Sequence, residues 1–118
     1  IEIVFDVEDI DIGLNYSVLM GLIFHELLVN SLKYAFVVKN ENPKIELFIK
    51  KEGKKILFGV KDNGVGFKKE NIDKASSLGH KLIDSIVTLQ LEGKIEEMSE
   101  NGYTCIISFF AKDANEQS

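Results

Sequence analysis

The sequence predicts a two-layer α/β (α+β) sandwich, a mixed sheet of about five strands with helices on one face. Three observations carry this expectation. β-rich runs stand at both ends of the chain and as a pair in its middle, a breaker-poor apolar segment separates the first run from the pair, and a second helical stripe separates the pair from the last two runs. Each such element has an apolar face that must be buried against another element, and helices laid on a sheet satisfy both. With 118 residues and 45% hydrophobic content there is material for one core and not two. The expected domain is 1–111, followed by a polar tail, 112–118, expected to be frayed.

Taken in order, the first strand is expected at Ile1 to Val7. Asp9 to Gly13 reads as a loop before Asn15, which can cap a helix through its side-chain oxygen. That helix runs from about Tyr16 to Phe36 and is apolar on most sides, as for a helix buried between a sheet and neighbouring helices. Lys39 to Lys44, with two Asn and the only Pro, is a turn; Ile45 to Lys50 and Lys55 to Lys61 are strands whose short link, Glu52-Gly53-Lys54, suggests a hairpin. The polar, lysine-rich stretch from Phe67 to Leu78 has no helix or strand period and reads as a mobile loop. A second helix starts near Gly79, with Leu82, Ile83, Ile86, Val87 and Leu89 through Leu91 on its stripe and Gly93 where a terminating glycine belongs. Lys94 to Met98 and Tyr103 to Phe110 are the last strands, joined across Asn101-Gly102, a strong two-residue hairpin signal.

Composition narrows the function classes. A net charge of −5 argues against a nucleic-acid surface, which is built on clustered positive charge. All 14 basic residues are lysines, so phosphate must be held by lysine, backbone amides or a metal and not by a bidentate guanidinium. No apolar run approaches the roughly 20 residues that cross a bilayer, and the acidic opening from Ile1 to Ile10 lacks the basic start of a secretory signal. The single cysteine, Cys105, lies in an apolar run; a buried thiol is expected, consistent with a reducing compartment.

Three segments carry chemistry. On the long helix, Glu26, Asn30 and Lys33 are spaced four and then three apart and share one face, with Tyr34 beside them. Such polar groups in an apolar helix mark either an edge facing solvent or a polar cavity holding a ligand. Asp62-Asn63-Gly64-Val65-Gly66 follows a strand and is either a turn or a place where backbone approaches a flat ligand while the aspartate accepts from an exocyclic amine. Leu78-Gly79-His80-Lys81 opens a helix, and is either a cap or a seat for phosphate at the positive end of the helix dipole.

Together, these segments resemble the boxes of the ATP-binding fold shared by histidine kinases, DNA gyrase, mismatch-repair ATPases and heat-shock chaperones. The string from His25 through Glu26, Asn30, Lys33 and Tyr34 to Phe36 resembles the asparagine box of the sensor histidine kinases whose helix reads H/N-E-L-x-x-N-x-x-K-Y-A-F. Val60 to Gly66 resembles the first glycine box, Ser77 to Leu82 the second, and Gly93-Lys94-Ile95-Glu96 the strand after it. The resemblance spans about residues 1 to 110 and implies the histidine kinase-like ATPase fold.

It also implies roles. Asn30 would be the Mg²⁺ ligand, Asp62 the acceptor for the adenine amino group, and Gly64 and Gly66 would lie beside the base. Lys33 would face the phosphates and Tyr34 the adenine; Glu26 would be the catalytic acidic residue near the γ-phosphate, orienting or deprotonating the accepting imidazole. Leu78, Gly79 and His80 would belong to the nucleotide site, as would Thr104. Two boxes depart from the pattern: Ser77 and His80 stand where a glycine and a leucine are usual, and Tyr103 separates Gly102 from Thr104.

The implied activity is that of the ATP-binding catalytic domain of a two-component sensor histidine kinase, with ATP and Mg²⁺ as cofactors. The γ-phosphoryl group would pass to a histidine on a dimerisation domain of the same homodimeric protein, with a response regulator downstream. A cytoplasmic location is implied, whether or not the parent protein is membrane-anchored. No phosphoaccepting hairpin is read here, so the expectation is a domain that binds ATP and lacks its own substrate. The rivals are a serine kinase of the anti-sigma type, against which Lys33-Tyr34-Ala35-Phe36 speaks, and a nucleotide-sensing module without transfer activity. A gyrase-like ATPase fits less well. His25 beside Glu26 resembles the start of a zinc-protease helix, but Val29 stands where that motif needs its second histidine.

Overall fold

The computed structural model describes residues 1–10, 12–35, 42–64, 78–99 and 102–111, with the side chains of 34, 35 and 78–80 left aside. Five strands form one sheet: β1 (Glu2–Val7), β2 (Lys44–Glu52), β3 (Lys55–Asp62), β4 (Lys94–Met98) and β5 (Tyr103–Phe110), in the order β1-β2-β3-β5-β4. Only β1 and β2 run parallel; the other pairs are antiparallel. Among the described residues two helices accompany the sheet, α1 (Leu14–Asn30) and α2 (Leu78–Ser85), each continuing into a π-helical segment, Ser31–Ala35 and Ile86–Leu91. The mixed sheet with its helices is the expected fold class. Among the described residues no helix is long and apolar enough to cross a membrane.

Strand alternation assigns the faces. Ile45 and Leu47 of β2, Ile56, Phe58, Val60 and Asp62 of β3, and Tyr103, Cys105, Ile107 and Phe109 of β5 are buried, and the residues between them, buried Gly59 excepted, are more exposed, so one face is the core face. Tyr16, Met20, Ile23 and Leu27, one stripe of α1, complete the core with Ile83, Ile86, Val87 and Leu91. At its centre Phe58 packs edge-on against Phe24 of α1 at 5.3 Å and against Phe109 at 6.0 Å, while Tyr16 lies 5.1 Å from Phe109. These aromatic contacts fix where α1 crosses β3 and β5.

Several local expectations need correction. Asn15 does not cap α1: the helix begins one residue earlier, Gly13 occupies the cap position at φ 81°, and the Ser17 hydroxyl donates back to the Gly13 carbonyl at 2.9 Å. Nor is α1 covered on most sides, since Leu14, Val18 and Leu22 are exposed opposite the buried stripe. On the edge strand, Ile3, Phe5 and Val7 lie in register with Ile45, Leu47 and Ile49, yet remain exposed because the described helices pack over the centre of the sheet. The link between β4 and β5 is longer than a two-residue turn, running from Ser99 through Gly102. The expected mobile loop from Phe67 falls, up to residue 77, outside the described residues, as do the tail 112–118 and the first half of the expected turn at Lys39 to Lys44.

The end of the second helix shows how a sequence signal can be right for another reason. The left-handed residue is Glu92, at φ 52° and ψ 42°, and Gly93 follows it, donating its N–H to the Val87 carbonyl at 2.8 Å. Gly93 is needed for space: a Cβ there would lie 2.3 Å from the Ser108 carbonyl oxygen and 3.1 Å from the Phe109 Cβ. Cys105 is buried as expected, and desolvation pushes its thiol up to about 12, so it stays protonated at neutral pH. Gly93→Ala should force β5 and the helix end apart, at a cost of about 1–3 kcal/mol. Thermal unfolding would then show a midpoint several degrees lower; an unchanged midpoint would contradict the close approach.

Candidate functional site

The site is built around a buried carboxylate. Asp62 ends β3 on the core face, in register between Ile45 and Tyr103, and is 4% exposed. A carboxylate in such a place must be paired or hydrogen-bonded. It accepts three hydrogen bonds: the Gly64 N–H donates to Oδ1 at 2.9 Å, the Tyr103 N–H donates to Oδ1 at 3.2 Å, and the Ser31 hydroxyl donates to Oδ2 at 3.1 Å. Every partner is a donor, so the carboxylate acts here as an acceptor.

The surrounding backbone is equally constrained. Gly102 sits at φ 117°, and a Cβ there would lie 2.1 Å from the Asp62 carbonyl oxygen, so only glycine lets β5 enter beside Asp62. Asn63 ties the neighbouring strand start: the Lys44 N–H donates to its Oδ1 at 2.8 Å, and its Nδ2 donates to the Asn42 carbonyl at 2.8 Å. Asn63 therefore anchors the beginning of β2 against the end of β3, which a simple turn reading of Asn63-Gly64 does not anticipate. Gly66 lies outside the described residues.

From the helix, Glu26 and Asn30 are half-buried and flank the stripe formed by Ile23 and Leu27. Neither side chain makes a hydrogen bond among the described residues, which leaves a carboxylate and a carboxamide free beside the core. The continuous α-helical face expected for Glu26, Asn30 and Lys33 does not persist. Ser31 begins the π-helical segment, whose smaller rotation per residue carries Lys33 off that line and leaves it exposed. Tyr34 is in the same segment, and its side chain is outside the described residues.

Leu78, Gly79 and His80 form the first turn of α2, whose leading N–H groups have no partner within the helix. Thr104 is not brought to the carboxylate. It pairs with Lys61 and faces away from the helices, lining a groove with Glu46, Phe48, Met98, Ser99 and Ile106. The residue that serves Asp62 is its neighbour Tyr103, through the backbone N–H. Its phenol is buried, donates to Glu97 Oε2 at 2.9 Å, and is pushed well above the usual tyrosine range by desolvation.

Sequence reasoning missed Ser31 and Tyr103. The first had a signal, a hydroxyl four residues beyond Leu27 on the stripe that faces the sheet. The second had none, because a backbone donor is invisible in the sequence.

Comparison with known proteins places this geometry. No curated protein matches the chain. Among solved structures, the histidine kinase domain of the Erythrobacter litoralis EL346 blue-light activated histidine kinase superposes with a TM-score of 0.82 at 18% identity, covering 93% of this chain and 51% of that one. Acinetobacter baumannii histidine kinase AdeS gives 0.75 at 14% identity, covering 95% and 55%. The nucleotide-free catalytic domain of histidine kinase ThkA gives 0.62 at 20%, covering 93% and 79%. The chain thus spans about half the length of the first two proteins, and at these identities the likeness establishes the fold. Residues 15–114 match the family described as histidine kinase-, DNA gyrase B-, and HSP90-like ATPases. That match covers most of the chain and includes Asn30, Asp62 and Gly79, and the chain accordingly belongs to this ATPase family.

Proposed function

We propose that this domain binds ATP with Mg²⁺ and donates the γ-phosphoryl group to a histidine on a dimerisation domain of the parent protein, as a sensor histidine kinase does. The observation that carries the reading is the buried Asp62 carboxylate at the end of a central strand, held by three donors with acceptor capacity left on Oδ2. Its three donors fix it in direction, and a carboxylate so held accepts from an exocyclic amine and rejects a carbonyl. Adenine, with its 6-amino group, is the base that suits it.

The residues beside it suit a triphosphate. Asn30 immediately precedes Ser31, so the free carboxamide lies next to the contact that reaches Asp62, and its oxygen fits a hard cation such as Mg²⁺. Mg²⁺ held there would neutralise the charge of the phosphates. Glu26, one turn earlier on the same flank, orients the accepting imidazole or takes its proton. The first turn of α2 offers Gly79 and His80 amides to phosphate, with Leu78 beside them, and Lys33 adds solvent-facing positive charge. Tyr34, Gly64 and Gly66 are assigned to the base. Thr104 is not assigned a role, because it faces the other side of the sheet. In the transfer itself, the bond from phosphorus to the β–γ bridging oxygen breaks as a bond to imidazole Nε2 forms, and ADP departs. A response regulator would take the phosphoryl group next, and a cytoplasmic setting fits a domain that consumes ATP.

Two outcomes follow. Asp62→Ala should cost at least about 1–3 kcal/mol of ATP affinity, because the amine of the base then loses its partner. Calorimetry on the folded variant would check this, and unchanged affinity would remove the base from this pocket. Asn30→Ala should lose most of the gain in ATP affinity that Mg²⁺ brings while changing affinity in chelator little. Equal responses of variant and parent to added Mg²⁺ would make Asn30 structural.

A further inference from the structure

Resting on the adenine reading of Asp62, we infer that Ser31 is the positioning residue that gives the site its preference for a 6-amino over a 6-oxo purine. Ser31 and Asp62 are the two buried polar side chains of the described residues, at 3% and 4% exposure, and they are bonded to each other. The other two donors to Asp62, Gly64 N–H and Tyr103 N–H, both reach Oδ1 and both come from the sheet side of the site. Oδ2 therefore has one protein partner described here, the Ser31 hydroxyl, and that partner comes from the helix.

This division of labour has a chemical consequence. Rotation about Cβ–Cγ moves both oxygens together, so the two donors on Oδ1 and the Ser31 hydroxyl on Oδ2 restrain it from opposite ends. The Ser31 hydroxyl also occupies one lone pair of Oδ2, leaving the other to face an incoming donor. An amine donor meets it; a 6-oxo group in the same place would set two acceptors against each other. The backbone of Ser31 is itself fixed, its N–H donating to the carbonyls of Leu27 and Leu28 where the α-helix passes into the π-helical segment. Ser31 lies one α-helical turn beyond Leu27 and so reaches the sheet just after Asn30 has been left half-buried on the flank. The support of the base-reading carboxylate and the proposed metal contact thus come from adjacent residues, Ser31 and Asn30.

The test compares ATP with inosine triphosphate, binding measured by calorimetry, in the parent, Ser31→Ala, Ser31→Thr and Asp62→Ala proteins, with thermal unfolding recorded for each. Ser31→Ala should weaken ATP roughly 10- to 100-fold, the scale of one lost hydrogen bond to a charged group, and inosine triphosphate less than about twofold. The ATP preference therefore falls. Ser31→Thr keeps the hydroxyl and should keep the parent preference, which also covers the case in which the alanine variant fails to fold. A merely structural serine would lower the unfolding temperature and weaken both nucleotides alike, and that result, or an altered preference in a folded threonine variant, overturns the inference. Loss of preference in Asp62→Ala with none in Ser31→Ala overturns the role of Ser31 and leaves the adenine reading standing. Unchanged preference in Asp62→Ala overturns both.

Discussion

A carboxylate buried at the end of a central strand has to find its hydrogen bonds inside the protein, and that constraint organises this domain. Asp62 draws one donor from the chain that follows it, one from the first residue of β5 and one from α1. Each donor has a structural precondition. Gly64 must fold back within two residues, Gly102 must let β5 approach the Asp62 carbonyl, and α1 must cross the sheet where Ser31 reaches Oδ2. The last condition is met by packing: Phe58 lies between Phe24 on the helix and Phe109 on the next strand, and these contacts hold the helix over β3 and β5. The apolar core thus sets the position, and the carboxylate uses it.

Much of the fold was legible because the elements obey simple periods. Tyr103 to Phe110 alternates cleanly between buried and more exposed residues, and Lys94 to Met98 and Lys55 to Lys61 were delimited to within a residue. The long helix was legible as a helix, but its apolar outer face misled. Leu14, Val18 and Leu22 suggest burial on all sides, and hydrophobicity alone does not say how many neighbours a helix has. The passage to π geometry at Ser31 was not legible either. It depends on where the helix meets the sheet, a tertiary condition, and it undid the expected alignment of Lys33 with Glu26 and Asn30.

The site was legible where side chains carry its chemistry. Asp62, Asn30 and Glu26 stand out as polar groups in apolar surroundings, and the structure leaves Asn30 and Glu26 half-buried on one flank. It was not legible where backbone does the work. Tyr103 displaces Thr104 by one position, and one position in a strand is a change of face. The sequence departure at Tyr103 therefore substitutes a main-chain donor at the carboxylate, while its phenol ties β4 to β5 through Glu97.

The central claim is that Asp62 meets an adenine amine in a direction set by its three donors. The most direct measurement is amide chemical shift in isotopically labelled protein, following Gly64 and Tyr103, whose N–H groups share Oδ1. Addition of an ATP analogue with Mg²⁺ should shift both amides together and saturably, because an amine bonded to the carboxylate draws charge from both of its oxygens. The corresponding 6-oxo nucleotide should move them much less at equal occupancy. Identical shifts with the two nucleotides, or no shift at either amide at saturation, would contradict the account.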